Sequence, residues 1–194
     1  TYLIREYFEG ITLEALVARN GPLTDDRIRS ICTQICDLLS YLHNCTPPII
    51  HRDIKPQNII LKPDGKIVII DFDSSRHYDD YATNDTVCLG TKQTAAPEQF
   101  GYGQSDRHTD IYSLGILIIY LATGRYDKSG LVSMSPWLKK IAATCTEFSP
   151  KDRYRTVAEV KRRFTDRIRP LIYKKTFAYI LVFLLCITVA CVSF

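Results

Sequence analysis

The sequence predicts an α+β fold, mainly α-helical, followed by one C-terminal transmembrane helix. Three observations carry that expectation. Apolar residues recur at helical spacing from Ile28 to Leu42, and they crowd every side of the stretch from Thr109 to Ala122. Asp64-Gly65 separates the apolar runs Ile59–Leu61 and Ile67–Ile70, which is a hairpin signature. From Phe177 to Phe194 the chain carries no charge.

Taken in order, Tyr2 to Phe8 reads as a strand and Glu9-Gly10 as a turn. Leu13 to Arg19 reads as a short helix, broken by Asn20-Gly21-Pro22. Thr24 is placed to cap a long helix whose apolar face is Ile28, Ile31, Cys32, Ile35, Leu38, Leu39 and Leu42. Pro47-Pro48 closes that region, and Ile49 to Leu61 contains a polar loop. The run Lys66 to Ile70 reads as a buried strand because it is apolar without alternation. Residues 74–95 are polar and read as a long surface loop. A helix that is apolar all round, Thr109 to Ala122, belongs at the centre of a domain, and Gly124 ends it. Trp137–Ala143 and Val157–Ile168 are further helices.

A chain of 194 residues, 46% apolar, suits one domain or part of a larger one. Because Thr1 opens the sequence in mid-strand, a fragment is expected, with no signal peptide in view. The net charge of +4 is uneven. Residues 151–175 hold ten Lys or Arg against three Asp or Glu, a local +7, which leaves the rest of the chain at −3. As a helix, the eighteen uncharged residues 177–194 would measure roughly 27 Å at ~1.5 Å per residue, against a hydrocarbon core of ~30 Å. Lys174 and Lys175 precede it, so the positive-inside rule puts the preceding domain in the cytoplasm, with the basic stretch near anionic headgroups. The seven cysteines show no metal-ligand spacing. Cys32 and Cys36 share a helix face and read as core, and reduced thiols are expected.

The polar loop holds the chemistry. His51-Arg52-Asp53-Ile54-Lys55-Pro56-Gln57-Asn58 sets an aspartate, a lysine and an asparagine at fixed spacing, and Asp71-Phe72-Asp73 follows the apolar run. Phosphoryl transfer needs such a set. One carboxylate orients the attacking hydroxyl and accepts its proton, a cation sits by the moving phosphate, and an amide oxygen with a second carboxylate holds magnesium.

These residues resemble the catalytic loop H-R-D-x-K-P-x-N and the metal-binding aspartate motif of protein kinases. The resemblance implies the C-terminal lobe of the protein-kinase fold and a serine/threonine kinase of the bacterial receptor type. The resulting boundaries are 1–10 for the end of the N-lobe and the hinge, 11–170 for the C-lobe and 177–194 for the membrane helix. Asp53 and Lys55 would be catalytic. Asn58 and Asp71 would hold Mg2+. ATP would meet Glu6 and Phe8 at the hinge as well as Lys55, Asn58 and Asp71.

The same resemblance extends further along the chain. Gly90-Thr91 and Ala96-Pro97-Glu98 look like the peptide-substrate loop and its closing motif, with Thr91 contacting Asp53 and Lys55. Asp110 matches an aspartate that binds the catalytic-loop backbone, and Arg153 matches an arginine that pairs structurally with Glu98. Arg52 implies control by phosphorylation, with Thr83 and Thr86 as acceptors. Two residues depart from the pattern: Asp73 stands where glycine is usual, and Arg5 where an apolar gatekeeper is common. The stretch Arg125–Pro136 is short for the helix that follows the central one. The Gly-rich loop, the strand lysine and its glutamate partner are expected upstream, so residues 1–173 alone should be inactive.

The implied partners are proteins with Ser or Thr acceptors, ATP, the membrane through the C-terminal helix, and a second kinase copy; no nucleic acid is expected. The implied location is the cell membrane, single-pass, with the kinase lobe cytoplasmic. Two alternatives stay open: a membrane-anchored pseudokinase scaffold, which Asp73 and Arg5 would support, and a kinase-like small-molecule phosphotransferase.

Overall fold

The computed structural model describes residues 6–78, 93–100 and 104–166. The backbone divides into two units, residues 1–161 and 162–194. Of the second unit, only residues 162–166, at the end of the last helix, are among those described. The expectations for Tyr2–Arg5, Thr83, Thr86, Gly90-Thr91 and the span 177–194 therefore lie outside the described residues. Among the described residues no helix is long and apolar enough to cross a membrane.

The first unit opens with β1 (Ile11–Thr12) and α1 (Leu13–Asn20), whose first turn is capped by Thr12 accepting the Ala15 amide at 3.2 Å. The strand expected across Tyr2–Phe8 is not seen where the chain is described, since residues 6–9 have no regular structure. Among the described residues, strand pairing begins at Ile11. Ile11 lies opposite Leu61, and Gly10, at φ 154°, lets the chain approach so closely that a Cβ there would sit 2.5 Å from the Leu61 carbonyl.

The long helix α2 spans Asp25–His43. Of the apolar face read from the sequence, Ile28, Ile31, Cys32, Ile35 and Leu39 are buried and Cys36 joins them, whereas Leu38 is exposed and Leu42 half-buried. Thr24 stands at the N-cap position without a side-chain cap bond. Strand β2 (Ile49–Ile50) leads into the polar loop, which ends in a 3-10 turn, Pro56–Asn58. The expected hairpin is present. β3 (Ile59–Leu61) and β4 (Ile67–Ile69) pair antiparallel with Ile60 opposite Val68, and Gly65 sits at φ 80° in the turn. With β1 they form one three-stranded sheet, ordered β1-β3-β4.

Two expectations need correction here. The strand read as buried alternates instead: Ile67 and Ile69 are buried, while Val68 and Ile70 are half-exposed. Helix α2 packs against β4 from one side, while Val68 and Ile70 border a cleft, so apolar residues were needed on both sides for different reasons. The surface loop read over residues 74–95 also contains order. Arg76–His77 form β5, antiparallel to β2, and Thr94 and Ala95 are buried at the other end.

The central helix α3 spans Arg107–Thr123 and has Ile111, Leu114, Leu117, Ile118, Ile119 and Leu121 fully buried. Asp106 and Thr109 form a reciprocal capping box at its start, and Gly124 ends it at a left-handed φ of 73°. The helix α4 (Pro136–Cys145) packs against α3 where Gly115 leaves room, since a Cβ on Gly115 would meet the Cβ of Cys145 at 2.6 Å. Between them Lys128–Ser133 coils into a 3-10 turn. The last helix, α5, spans Val157–Thr165. Cys32, Cys36, Cys45 and Cys145 are free thiols, and burial pushes the first two and Cys145 well above the ordinary thiol range.

Candidate active site

The polar loop is short of regular structure, so side chains hold it. Asp110, fully buried in the first turn of α3, accepts the backbone amides of His51 at 3.0 Å and Arg52 at 2.8 Å, and Nε2 of His43 lies 2.8 Å away. The Arg52 carbonyl accepts from Gln99 Nε2 at 2.9 Å, and the Gln99 side-chain oxygen in turn accepts the Ala96 amide at 2.9 Å. Arg52 sits at a left-handed φ of 68°, a conformation that costs a non-glycine residue ~1–2 kcal/mol. Its backbone N–H and C=O are both fixed by buried partners, which is how the loop keeps that conformation.

Asp53 follows, 7% exposed. Its Oδ2 lies 2.6 Å from Lys55 Nζ and 2.9 Å from Asn58 Nδ2, and the Asn58 amide also donates to the Asp53 carbonyl at 3.0 Å. Three of the residues singled out from the sequence thus meet around one carboxylate oxygen. Asn58 is tied onward to the second motif, because its carbonyl accepts the Ile70 amide at 2.9 Å and Asp71 comes next. Asp71 is itself left-handed, at φ 65°. Phe72 packs on the His51 ring, with centroids 4.7 Å apart and planes at 60°. Burial lowers the His51 imidazole below its usual titration range, against an opposite pull from Asp110, Asp53, the Ile70 backbone and Asp71.

A cleft of about 580 Å3 opens between Glu6, Tyr7 and Phe8 on one side and Ile60, Val68, Ile70, Asp71 and Asp73 on the other. Its apolar walls suit a flat aromatic base, and its acidic end adjoins the Asn58–Asp71 pair. Glu6, Phe8 and Asp71 therefore border one cavity, whereas Asp53 and Lys55 are grouped with Asn58 on the loop beside it. Arg5 lies outside the described residues. Asp73 lines the cleft and offers its backbone N–H to Asp71 Oδ1 at 3.5 Å.

A divalent cation is implied here, and the donor set fits a magnesium ion. With Nδ2 of Asn58 turned to Asp53, no donor among the described residues reaches its Oδ1, which leaves an amide oxygen for a hard cation. Among the described residues no group of three or more His, Cys, Asp or Glu side chains forms a protein-only metal cage. Magnesium does not need one, because it keeps waters and takes phosphate oxygens with one or two carboxylates.

Behind the loop, Arg153 and Glu98 form the expected pair. Two parallel bonds of 2.7 and 2.9 Å join them, with Glu98 also accepting from Thr109 Oγ1 at 2.9 Å. The guanidinium further donates to the carbonyls of Glu147, His108 and Phe148 and lies 4.9 Å over the Tyr112 ring. Gln99, His43 and Thr109 escaped the sequence reading. The clue was weak, since each is an ordinary polar residue whose role comes only from a distant partner.

With this geometry in view, comparison with known proteins is decisive. The protein kinase domain family matches residues 1–172. The chain belongs to the protein kinase family. It is 33% identical over 180 residues to the serine/threonine-protein kinase PknA of Nostoc, covering 82% of this chain and 31% of that protein. It is 35% identical over 143 residues to PrkC of Bacillus subtilis, covering 73% of this chain and 22% of that protein. Against PknB of Mycobacterium tuberculosis identity is 28%, covering 82% of this chain and 29% of that protein. The chain thus spans less than a third of the length of these curated serine/threonine kinases.

Proposed function

We propose that this chain is the C-terminal lobe of a membrane-anchored serine/threonine protein kinase that passes the γ-phosphate of Mg·ATP to Ser or Thr hydroxyls of proteins. The observation that carries the reading is the convergence of Lys55 and Asn58 on Asp53, with Asp71 following Ile70, whose amide donates to the Asn58 carbonyl, and lining the cleft. Asp53 takes the proton of the attacking hydroxyl. Lys55 holds charge beside the moving phosphate, within 2.6 Å of that base. The hinge side, Glu6 and Phe8, faces the base of the nucleotide against Ile60 and Ile70. Bound magnesium would neutralise charge on the phosphates from Asn58 and Asp71.

An upstream lobe completes the site in this reading, and the apolar exposure of the first unit supports it. Leu38, Tyr41 and Phe72 are 37, 73 and 44% exposed and border one groove of about 320 Å3 with Ile67 and Val68. The membrane anchor, the cytoplasmic orientation and pairing of kinase copies belong to the same proposal. The uncharged run 177–194 and the basic stretch before it support the anchor.

A magnesium-dependent kinase assay on the full-length protein tests the reading. Asp53→Asn and Asp71→Asn should each abolish turnover, since a positioned base alone contributes roughly 10²–10⁴-fold. Near-native activity in either variant would sink the assignment. ATP binding with no turnover in the unaltered protein would favour the pseudokinase scaffold, to which Asp73 beside Asp71 lends support. Truncation after Tyr173 should move the protein to the soluble fraction.

A further inference from the structure

The 3-10 turn Pro56–Asn58 has two polar side chains that reach in different directions. Asn58 grips Asp53, as described above. Gln57 reaches across to another element, where its Nε2 lies 2.5 Å from Oε1 of Glu14, on α1, and 3.2 Å from the hydroxyl of Tyr126. Both amide hydrogens of Gln57 are thereby used. Its Oε1 is buried without a partner among the described residues. Turning the amide over would aim that oxygen at the Glu14 carboxylate, so the orientation is fixed by charge. Tyr126 stacks on Tyr120 at 4.5 Å, and burial, with Glu14 and Tyr120 adding to it, pushes its hydroxyl up to about 12, so it stays neutral. No cation among the described residues pairs with Glu14. The carboxylate's bond to Gln57 is charge-assisted and stronger than a neutral one.

We infer that Glu14 is a positioning residue for phosphoryl transfer: through Gln57 it holds the Pro56–Asn58 turn at the height from which Asn58 sets the Asp53 carboxylate. The inference rests on the kinase reading for its catalytic consequence, and on geometry alone for its structural one. The turn has only three residues, so a shift of Gln57 moves Asn58 directly. Neither Glu14 nor Gln57 borders the hinge cleft, so binding of the nucleoside part there should not depend on them.

The test is a reciprocal exchange in the full-length protein, read in two ways. Glu14→Ala removes the acceptor, and Gln57→Glu sets two carboxylates against each other. Glu14→Gln keeps an acceptor oxygen, and Gln57→Glu with Glu14→Gln restores one donor and one acceptor with their sides swapped. Amide hydrogen exchange across residues 51–58 should speed up in Glu14→Ala and Gln57→Glu and return toward the native rate in the swapped pair. In the kinase assay kcat should fall roughly 10- to 100-fold in the two single variants, the scale of a small misplacement of catalytic groups, while affinity for adenosine, which carries no phosphate to reach Asn58, stays unchanged. Glu14→Gln and the swapped pair should recover most of that loss. Native exchange in Glu14→Ala would overturn the inference, as would a swapped pair no better than Gln57→Glu. If the unaltered protein shows no kinase activity, the kinase reading fails while hydrogen exchange still decides whether Glu14 sets the turn.

Discussion

Asp110 and Arg52 meet through the backbone: a buried carboxylate oxygen accepts the Arg52 amide at 2.8 Å while Arg52 holds a left-handed φ of 68°. The other oxygen takes the His51 amide and faces His43 Nε2. One side chain on the central helix therefore carries three partners from two other segments. Asp110→Ala would leave buried donors unsatisfied at about 1–3 kcal/mol each, so we expect a loss of more than about 3 kcal/mol. Asp110→Asn keeps one acceptor and should lose less. Urea denaturation measures both, and a change under about 1 kcal/mol in the alanine variant would contradict this account.

The Glu98–Arg153 pair makes a separate prediction. Both side chains are nearly inaccessible, and removing one leaves the other charge buried. Arg153→Met or Glu98→Ala should each cost roughly 3–5 kcal/mol. The doubly substituted protein, with both charges gone, should be more stable than the sum of the single losses implies. A double-mutant cycle by denaturation checks this, and strict additivity would show that the two residues do not act as a pair.

How much of this was legible in the sequence depended on distance along the chain. The candidate segment stood out because Asp53, Lys55 and Asn58 lie within six positions and need no partner to be recognised. The β3–β4 hairpin was legible for the same reason, as Asp64-Gly65 lies between its strands. Other links join residues far apart. Gln99 reaches Arg52 across 47 positions, His43 reaches Asp110 across 67, and Gln57 reaches Glu14 across 43. Nothing local distinguishes a glutamine in such a link from one in water. The strand β4 misled differently. A run with apolar residues on both faces reads as buried, yet one face was apolar because it walls a cleft.

Gly10 allows a close approach that no other residue can reproduce. Its φ of 154° is unfavourable for L side chains, and an added Cβ would lie 2.5 Å from the Leu61 carbonyl and 2.6 Å from Ile60 Cγ2. Ile60 lines the cleft. Gly10→Ala should therefore destabilise the protein by about 2–5 kcal/mol through strain and overpacking. It should also weaken nucleotide binding more than a surface substitution such as Lys62→Ala. Thermal denaturation and nucleotide titration give the two readouts, and an unshifted melting temperature would rule out the close approach.

His51 makes stability depend on pH in a definite direction. Burial, the largest influence, lowers its pKa below the ordinary 6.5, although Asp110, Asp53, the Ile70 backbone and Asp71 pull the other way. The unfolded chain therefore takes up a proton near pH 6.5 that the folded chain still refuses. Where the unfolded state binds more protons, stability rises with pH, so it should fall as pH drops through about 6.5 toward the lower folded value. The slope cannot exceed about 1.4 kcal/mol per pH unit from one group, and above about pH 7.5 it should vanish. Asp106 belongs to a different window. Burial pushes its carboxyl up, but the bonds and charge of His108 outweigh that and hold it below 3.8, so its contribution is lost only in more acidic solution. Urea denaturation at intervals between about pH 5 and 8 separates the two. The native protein should lose stability over the lower part of that range, as pH falls below about 7, and His51→Gln, which cannot titrate, should lose much less there. Equal slopes in both proteins would show that the His51 ring does not resist protonation in the fold.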